Sequence, residues 1–285
     1  MNQIKLYRLL LLLVVPYGCV HHSPEGSPQD QQNKQDELSG VTQQYDDFVI
    51  PIYSTNRNAE WTLVWKDEFH HEDSLSNWSL QDWPSDKNGE WQYYSPENVS
   101  VEDGFLIIES RKERFKGRDY TSGAVTTEEK FEFTYGKVEI RAKLPEGQGI
   151  FPAFWLVNSD GDNWLPEIDM LEYLGQYPNE LHYVVHWENT LGEKSRDYFH
   201  YKSDEVNFSN DFHTYGLQWE PNKITWILDG TPIFESKAFS PDIPLYLYIN
   251  TAIGGFWPGN PDPFDEYPKQ MQIEYVRIFQ KEIGR

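Results

Sequence analysis

Between residues 167 and 172 the chain reads Glu-Ile-Asp-Met-Leu-Glu, three carboxylates interleaved with large apolar side chains. On a β-strand successive side chains point to opposite faces, so Glu167 and Asp169 share one face and Ile168 takes the other. Strict alternation would send Glu172 to the far side. A one-residue bulge at Met170-Leu171 absorbs the extra residue and returns Glu172 to the carboxylate face. Two carboxyls flanking one bond are what glycoside hydrolysis requires, and in retaining enzymes they stand about 5–5.5 Å apart. A bulge also supplies curvature that lets the tips converge. Asp169, in the middle, can hydrogen-bond a neighbour and help hold the two glutamates in different protonation states. Trp164 and Tyr173 flank the run, which argues against an ordinary core strand. The spacing alone leaves two other readings open: an acidic solvent-facing strand edge, and a calcium site built from clustered carboxylates.

The elements that must position these acids have a period of two from Trp61 onward. Leu63, Trp65 and Phe69 open a strand. Val99 to Val101 and Phe105 to Ile108 flank Asp103-Gly104, a short-hairpin signal. Val138, Ile140, Ala142 and Leu144 share one face of a strand that starts at Tyr135. Ile224 to Phe234 forms a hairpin around Asp229-Gly230, and Met271 to Phe279 closes the chain as a long alternating strand. Helical periods are missing, while Gly, Pro, Asn and Asp turns recur. The pattern argues an all-β, two-sheet antiparallel sandwich.

Several segments then resemble one family. Glu167 to Glu172 looks like the bulge-carrying signature of glycoside hydrolase family 16. Trp61-Thr62-Leu63-Val64-Trp65-Lys66-Asp67-Glu68-Phe69 resembles its opening strand. Tyr120 to Gly123 and Tyr135 to Pro145 are similar to the segments that lead into the site. Phe151-Pro152-Ala153-Phe154-Trp155-Leu156, Asp211 to Tyr215 and Gly254 to Asn260 follow in the expected order. The likeness covers roughly Trp61 to Gln280 and is greatest to the bacterial laminarinases, endo-acting β-1,3-glucanases. It implies a concanavalin-A-like β-jelly roll with a concave catalytic face. It also implies a retaining endo-β-glucanase in which Glu167 is the nucleophile, Glu172 the general acid and base, and Asp169 the residue that tunes them. The expected substrate is β-1,3-glucan or mixed-linkage β-1,3-1,4-glucan. The rivals are another polysaccharide (agarose, carrageenan or xyloglucan) and a non-catalytic carbohydrate-binding protein on the same sandwich.

Composition agrees with a polysaccharide partner. Aromatic residues make up 16% of the chain, 11 of them Trp, and the formal net charge is -22. So acidic a chain is poorly suited to a phosphate backbone, which is bound through Lys and Arg, and no nucleic-acid partner is expected. A neutral sugar polymer needs stacking faces and hydrogen bonds instead. Lys and Arg are absent from Phe151 to Glu188, which leans toward a neutral glucan over a sulfated one. A monomer is expected.

Residues 1–18 read as a signal peptide. Lys5 and Arg8 precede an apolar run, Leu9 to Val15, far shorter than the ~20 residues that span a bilayer. Cys19 is the single cysteine, so no intramolecular disulfide is available. Its place directly after the leader resembles the lipidation cysteine of bacterial lipoproteins, although Val15-Pro16-Tyr17-Gly18 departs from the usual pattern. The expectation is an exported, cell-surface lipoprotein whose membrane contact is the lipid alone. Residues 19–49 lack apolar periodicity and read as a disordered tether. Residues 50–285 form the catalytic domain.

Trp155, Trp164, Trp187 and Trp257 are the tryptophans to weigh as sugar platforms against the core role that is commoner for Trp in a β-protein. Trp257 lies in a Gly- and Pro-rich loop, and Trp164 follows the loop Asp160-Gly161-Asp162-Asn163; loops on a rigid scaffold carry binding residues. The resemblance places Trp155, Trp164 and Trp257 in the cleft with Asn250 and His186. His213 reads as structural. Departures are Pro166 where the family usually has Gly, Ala124 where many laminarinases carry Arg, and a bulky Leu181 to Trp187. No cofactor is required for catalysis. The family often holds a structural calcium, and the matching positions are Glu68, the carbonyl of Gly104, and Glu274.

Overall fold

The structure, a computed structural model, describes residues 44–45, 48–49, 61–159 and 164–281. The leader, Cys19, most of the expected tether and the loop 160–163 before Trp164 lie outside the described residues. The chain divides into Met1–Thr55 and Asn56–Arg285. In the first unit Gln44–Tyr45 pairs antiparallel with Phe48–Val49. All site residues described below belong to the second.

That unit is a jelly-roll sandwich of two antiparallel sheets. The seven-stranded sheet runs, edge to edge, through Lys194–Lys202, Glu180–Glu188, Glu167–Glu172, Ile150–Val157, Tyr246–Ile253, Ala124–Thr126 and Ser79–Leu80. The eight-stranded sheet runs through Thr231–Ser236, Lys223–Leu228, His213–Glu220, Gly136–Lys143, Lys269–Lys281, Phe105–Ser110 and Val99–Glu102, and Trp61–Asp67 also pairs with Lys269–Lys281. The chain crosses between sheets after Lys143, Lys202, Ser236 and Ile253, so strands adjacent in space are often distant in sequence. A small side sheet joins Trp83–Pro84, Gln92–Tyr94 and Tyr120–Ser122, the last two in parallel.

The core is what alternation directs inward. Val138, Ile140, Ala142 and Leu144 are almost wholly buried, as their common face requires. They meet Phe154, Leu156, Ile168, Leu181, Val185 and Ile249 from the opposite sheet in one cluster. Trp219 and Trp226 are among its largest fully buried side chains; burying a large apolar side chain contributes about 1.5–3 kcal/mol. Both expected hairpin turns are present: Asp103 and Gly104 have φ of 52° and 82°, Asp229 and Gly230 of 47° and 79°. These left-handed pairs match the twist of the flanking strands. His213 lies beside the second turn, with Nδ1 2.7 Å from Asp229 Oδ2.

Two strands depart from simple alternation. In Lys269–Lys281, Arg141 faces Tyr275 while its neighbour Ala142 faces Ile273, so Glu274 is an extra residue. The buried set therefore changes parity from Met271 and Ile273 to Val276 and Ile278. In the edge strand, Trp65 faces Ile278 while Leu63 faces Phe279, and Val64 is extra. Leu63, two residues before the part-buried Trp65, is consequently 42% exposed.

Candidate active site

The carboxylate strand Glu167–Glu172 lies between Ile150–Val157 and Glu180–Glu188, and it carries the expected bulge. Trp155 faces Asp169 while Phe154 faces Leu171, so Met170 has no counterpart. On the other side Asp169 faces Val184 and Glu172 faces His182, leaving two residues opposite one. Ile168, Met170 and Leu171 are all in the core. Glu167, Asp169 and Glu172 thereby share the open face. The bulge also sends Tyr173 inward: it is fully buried, a core residue and no part of the open face that the flanking position suggested.

Two indoles fix this strand and its neighbour. Trp226, from the eight-stranded sheet, donates from Nε1 to the carbonyl of Asp169 at 2.8 Å. On the open face Trp155 donates from Nε1 to Asn250 Oδ1 at 2.9 Å, and Asn250 donates from Nδ2 to the Tyr94 hydroxyl at 3.0 Å. Trp155 stacks on Tyr248 with ring centroids 4.5 Å apart. Tyr94, Tyr246, Tyr248, Trp83 and Trp155 form one aromatic cluster beside the carboxylates.

Burial dominates the electrostatics. It pushes Glu167 up to about 8, helped by the charge of Glu172 and opposed by Lys87 and Lys194. It pushes Glu172 up to about 7, opposed by Arg196. Asp169, only 4% exposed, is raised by burial and by both glutamates. The carboxyls of Glu167 and Asp169 share a hydrogen bond that favours ionised Glu167 and protonated Asp169. Burial and the mutual repulsion of neighbouring carboxylates both favour keeping a proton within the cluster. His186 Nε2 lies 3.4 Å from Asp169 Oδ2. Burial, Arg196 and Lys194 push the imidazole down to about 4, so His186 is neutral near pH 7.

Of the expected platform residues, Trp155, Trp164, Trp257, His186 and Asn250 all reach this face. Trp164 packs edge-on to His186 at 5.8 Å, and Lys194 Nζ lies 4.9 Å from its ring centroid. Trp257 is 41% exposed and meets the rings of Phe151 and His182 edge-on. Its loop is pinned at Gly254, whose φ is 70° and where a Cβ would come within 2.9 Å of Trp91. Trp187 instead stacks on Phe239 at 5.2 Å and packs against the core.

Several residues were not singled out from sequence. Lys87, Lys194 and Arg196 bring positive charge to the carboxylates although Phe151 to Glu188 has none. The lean toward a neutral polymer drawn from that stretch loses its force, because the charges come from other elements. Alternation was the available signal: in Lys194–Lys202, Arg196, Tyr198 and His200 face outward while Phe199 and Tyr201 pack inward. The same signal was available for Tyr246 and Tyr248.

The calcium set does not fit a cation as arranged. Glu68 is gripped by Arg277 through two bonds of 2.9 and 2.8 Å, and Glu274 accepts from Arg141 at 2.5 Å. Gly104 opens with Glu102 and Asp103 onto a hollow that neither glutamate lines.

Comparison with known proteins gives a consistent result. A profile of glycosyl hydrolases family 16 matches residues 86–277. A β-glucanase of Rhodothermus marinus is 33% identical over 79% of this chain and 87% of its own length. An endo-1,3-1,4-β-glycanase of Rhizobium meliloti is 35% identical over 67% of this chain, which spans 43% of that longer protein. The laminarinase catalytic domain of Thermotoga maritima superposes with a TM-score of 0.70 at 35% identity, covering 78% of this chain and 98% of that one.

Proposed function

The chain belongs to glycosyl hydrolases family 16 and is a glycoside hydrolase, and from that premise we propose a retaining endo-β-glucanase that cleaves β-1,3-glucan or mixed-linkage β-1,3-1,4-glucan. The observation that carries the reading is the bulge at Met170, which sets Glu172 on the same face as Glu167. The relatives named as a β-glucanase and as an endo-1,3-1,4-β-glycanase support the substrate class.

In the first step a Glu167 oxygen attacks the anomeric carbon as Glu172 gives its proton to the departing glycosidic oxygen. The bond to that oxygen breaks, a glycosyl ester forms on Glu167, and Glu172 is left ionised. In the second step Glu172 takes a proton from water as the water oxygen attacks the same carbon and releases Glu167. Two inversions give net retention. Asp169 keeps its proton and donates to Glu167, which lowers the cost of an ionised nucleophile in a buried site. Neutral His186 stands beside Asp169 from the neighbouring strand, its Nε2 3.4 Å from Oδ2. Trp155, Trp164 and Trp257 offer the faces on which sugar rings stack, and Asn250 fixes Trp155.

No metal takes part in these steps. Among the described residues no helix is long and apolar enough to cross a membrane. Export through residues 1–18 and lipid attachment at Cys19, with residues 19–49 as tether to the domain 50–285, complete the proposal. The deciding assay is product analysis on laminarin, lichenan, agarose and xyloglucan: short oligosaccharides from laminarin or lichenan alone support the reading, and release from agarose or xyloglucan with none from the glucans refutes it.

A further inference from the structure

A second cluster stands on the open face, one strand beyond the acids and outside the proposed reaction. We propose that Glu180, His182 and His200 form a binding site for a divalent transition-metal ion of the zinc class. Glu180 and His182 are two residues apart on one strand, so both project from the same face. His200 is the direct cross-strand partner of His182. One ligand atom from each of the three lies within 4.8 Å of the others.

The state of His182 points to a cation. The residue is only 6% exposed. Its Nδ1 lies 2.6 Å from the Tyr198 hydroxyl, whereas its buried Nε2 has no hydrogen-bond partner. A buried imidazole nitrogen without a partner loses a bond it would make in water. Metal-binding histidines typically have one ring nitrogen held by an outer partner while the other is left bare toward the metal. Tyr198 supplies that partner here.

The other two donors are close by. His200 Nε2 is 3.0 Å from Glu180 Oε2, and Lys202 holds the remaining oxygen, Oε1, at 2.8 Å. The rings of His182 and His200 stack with centroids 4.6 Å apart. Tetrahedral zinc with bonds of about 2.0–2.2 Å needs donor atoms roughly 3.4 Å apart, so the set must close slightly. The His200 side chain is 39% exposed, and to share an ion it must turn out of its stack on His182 while keeping Glu180 beside it. Two imidazoles and one carboxylate suit zinc or copper, while calcium takes oxygen ligands. An ion held there stands beside Glu172, which faces His182 across the strands.

The test is a zinc titration of the full chain, free of any histidine tag and stripped with chelator, in competition with a chromophoric zinc indicator. The expected result is one zinc bound per chain, with affinity about tenfold or more weaker in His200→Ala and in His182→Gln. His186→Ala should retain it. His200 is at the surface, so its variant stays informative should the buried His182→Gln fail to fold. Added zinc should raise the melting temperature of the parent chain and leave His200→Ala unmoved, since binding to the folded state stabilises by mass action. Absence of a stoichiometric site, a site untouched by His200→Ala, or one abolished by His186→Ala overturns the proposal.

Discussion

The indole nitrogen of Trp226 donates to the main-chain carbonyl of Asp169 at 2.8 Å, across the sandwich and at the residue where the carboxylate strand leaves register. A core residue of one sheet thus holds the bulge of the other. Replacing Trp226 with Phe removes this donor from the carbonyl and trims a fully buried side chain, a cost of about 1–3 kcal/mol. For a domain of this size that lowers the melting temperature by roughly 2–4 °C per kcal/mol. Activity at a temperature where the variant is fully folded should also fall, because Glu172 depends on the bulge for its face. A stable Trp226→Phe variant with parental kcat would break this link between core and site.

The raised carboxyls make the site a source of instability. Burial lifts Glu167 from 4.5 to about 8. Between those values the folded acid cluster keeps a proton that the unfolded chain has given up, so the cluster's contribution to stability declines as pH rises through that window. Glu167→Gln removes the term. The variant should gain on the order of 1–2 kcal/mol, or about 2–8 °C, at pH 8, and nothing at pH 4. Melting curves at both pH values check the sign; a variant that melts lower at pH 8 contradicts it.

Asn250 and Trp155 give a separate test of the sugar platform. Trp155→Phe keeps a ring stacked on Tyr248 but loses the bond to Asn250. The KM for oligosaccharides should rise several-fold, with kcat changing less, since the ring is proposed to hold sugar and not to move a proton. Equal losses in kcat and kcat/KM with KM unchanged would place Trp155 in the chemistry.

Alternation made much of this molecule legible beforehand. Val138, Ile140, Ala142 and Leu144 could be assigned to the core because one period governs the whole strand. The bulge at Met170 was legible because three acids on one face demand it. Leu63 and Tyr173 were not, since each lies just past an irregularity that reverses faces. Lys87, Lys194 and Arg196 escaped because their relation to the acids is made by pairing of strands and loops distant in sequence. The pairing of Glu68 with Arg277 and Glu274 with Arg141 likewise depends on which strands become neighbours.

Cys19 carries the proposal of a lipid anchor. Cys19→Ser should move the protein from the membrane fraction to the soluble fraction with unchanged specific activity. Mass spectrometry of the parent protein is the direct check: an unmodified Cys19 on a fully soluble, exported chain excludes the anchor.

The assignment of Glu167 as nucleophile is tested most directly by azide with the Glu167→Ala variant. Without that carboxylate no glycosyl ester forms, and azide entering the vacated space attacks the anomeric carbon once. Proton NMR of the product from an activated aryl β-glucan oligosaccharide should then show an α-glycosyl azide, the inverted anomer. The matched Glu172→Ala variant retains the nucleophile, so azide should intercept its ester and give the β-glycosyl azide after two inversions. The β adduct from Glu167→Ala, with the α adduct from Glu172→Ala, would reverse the two roles and contradict the account.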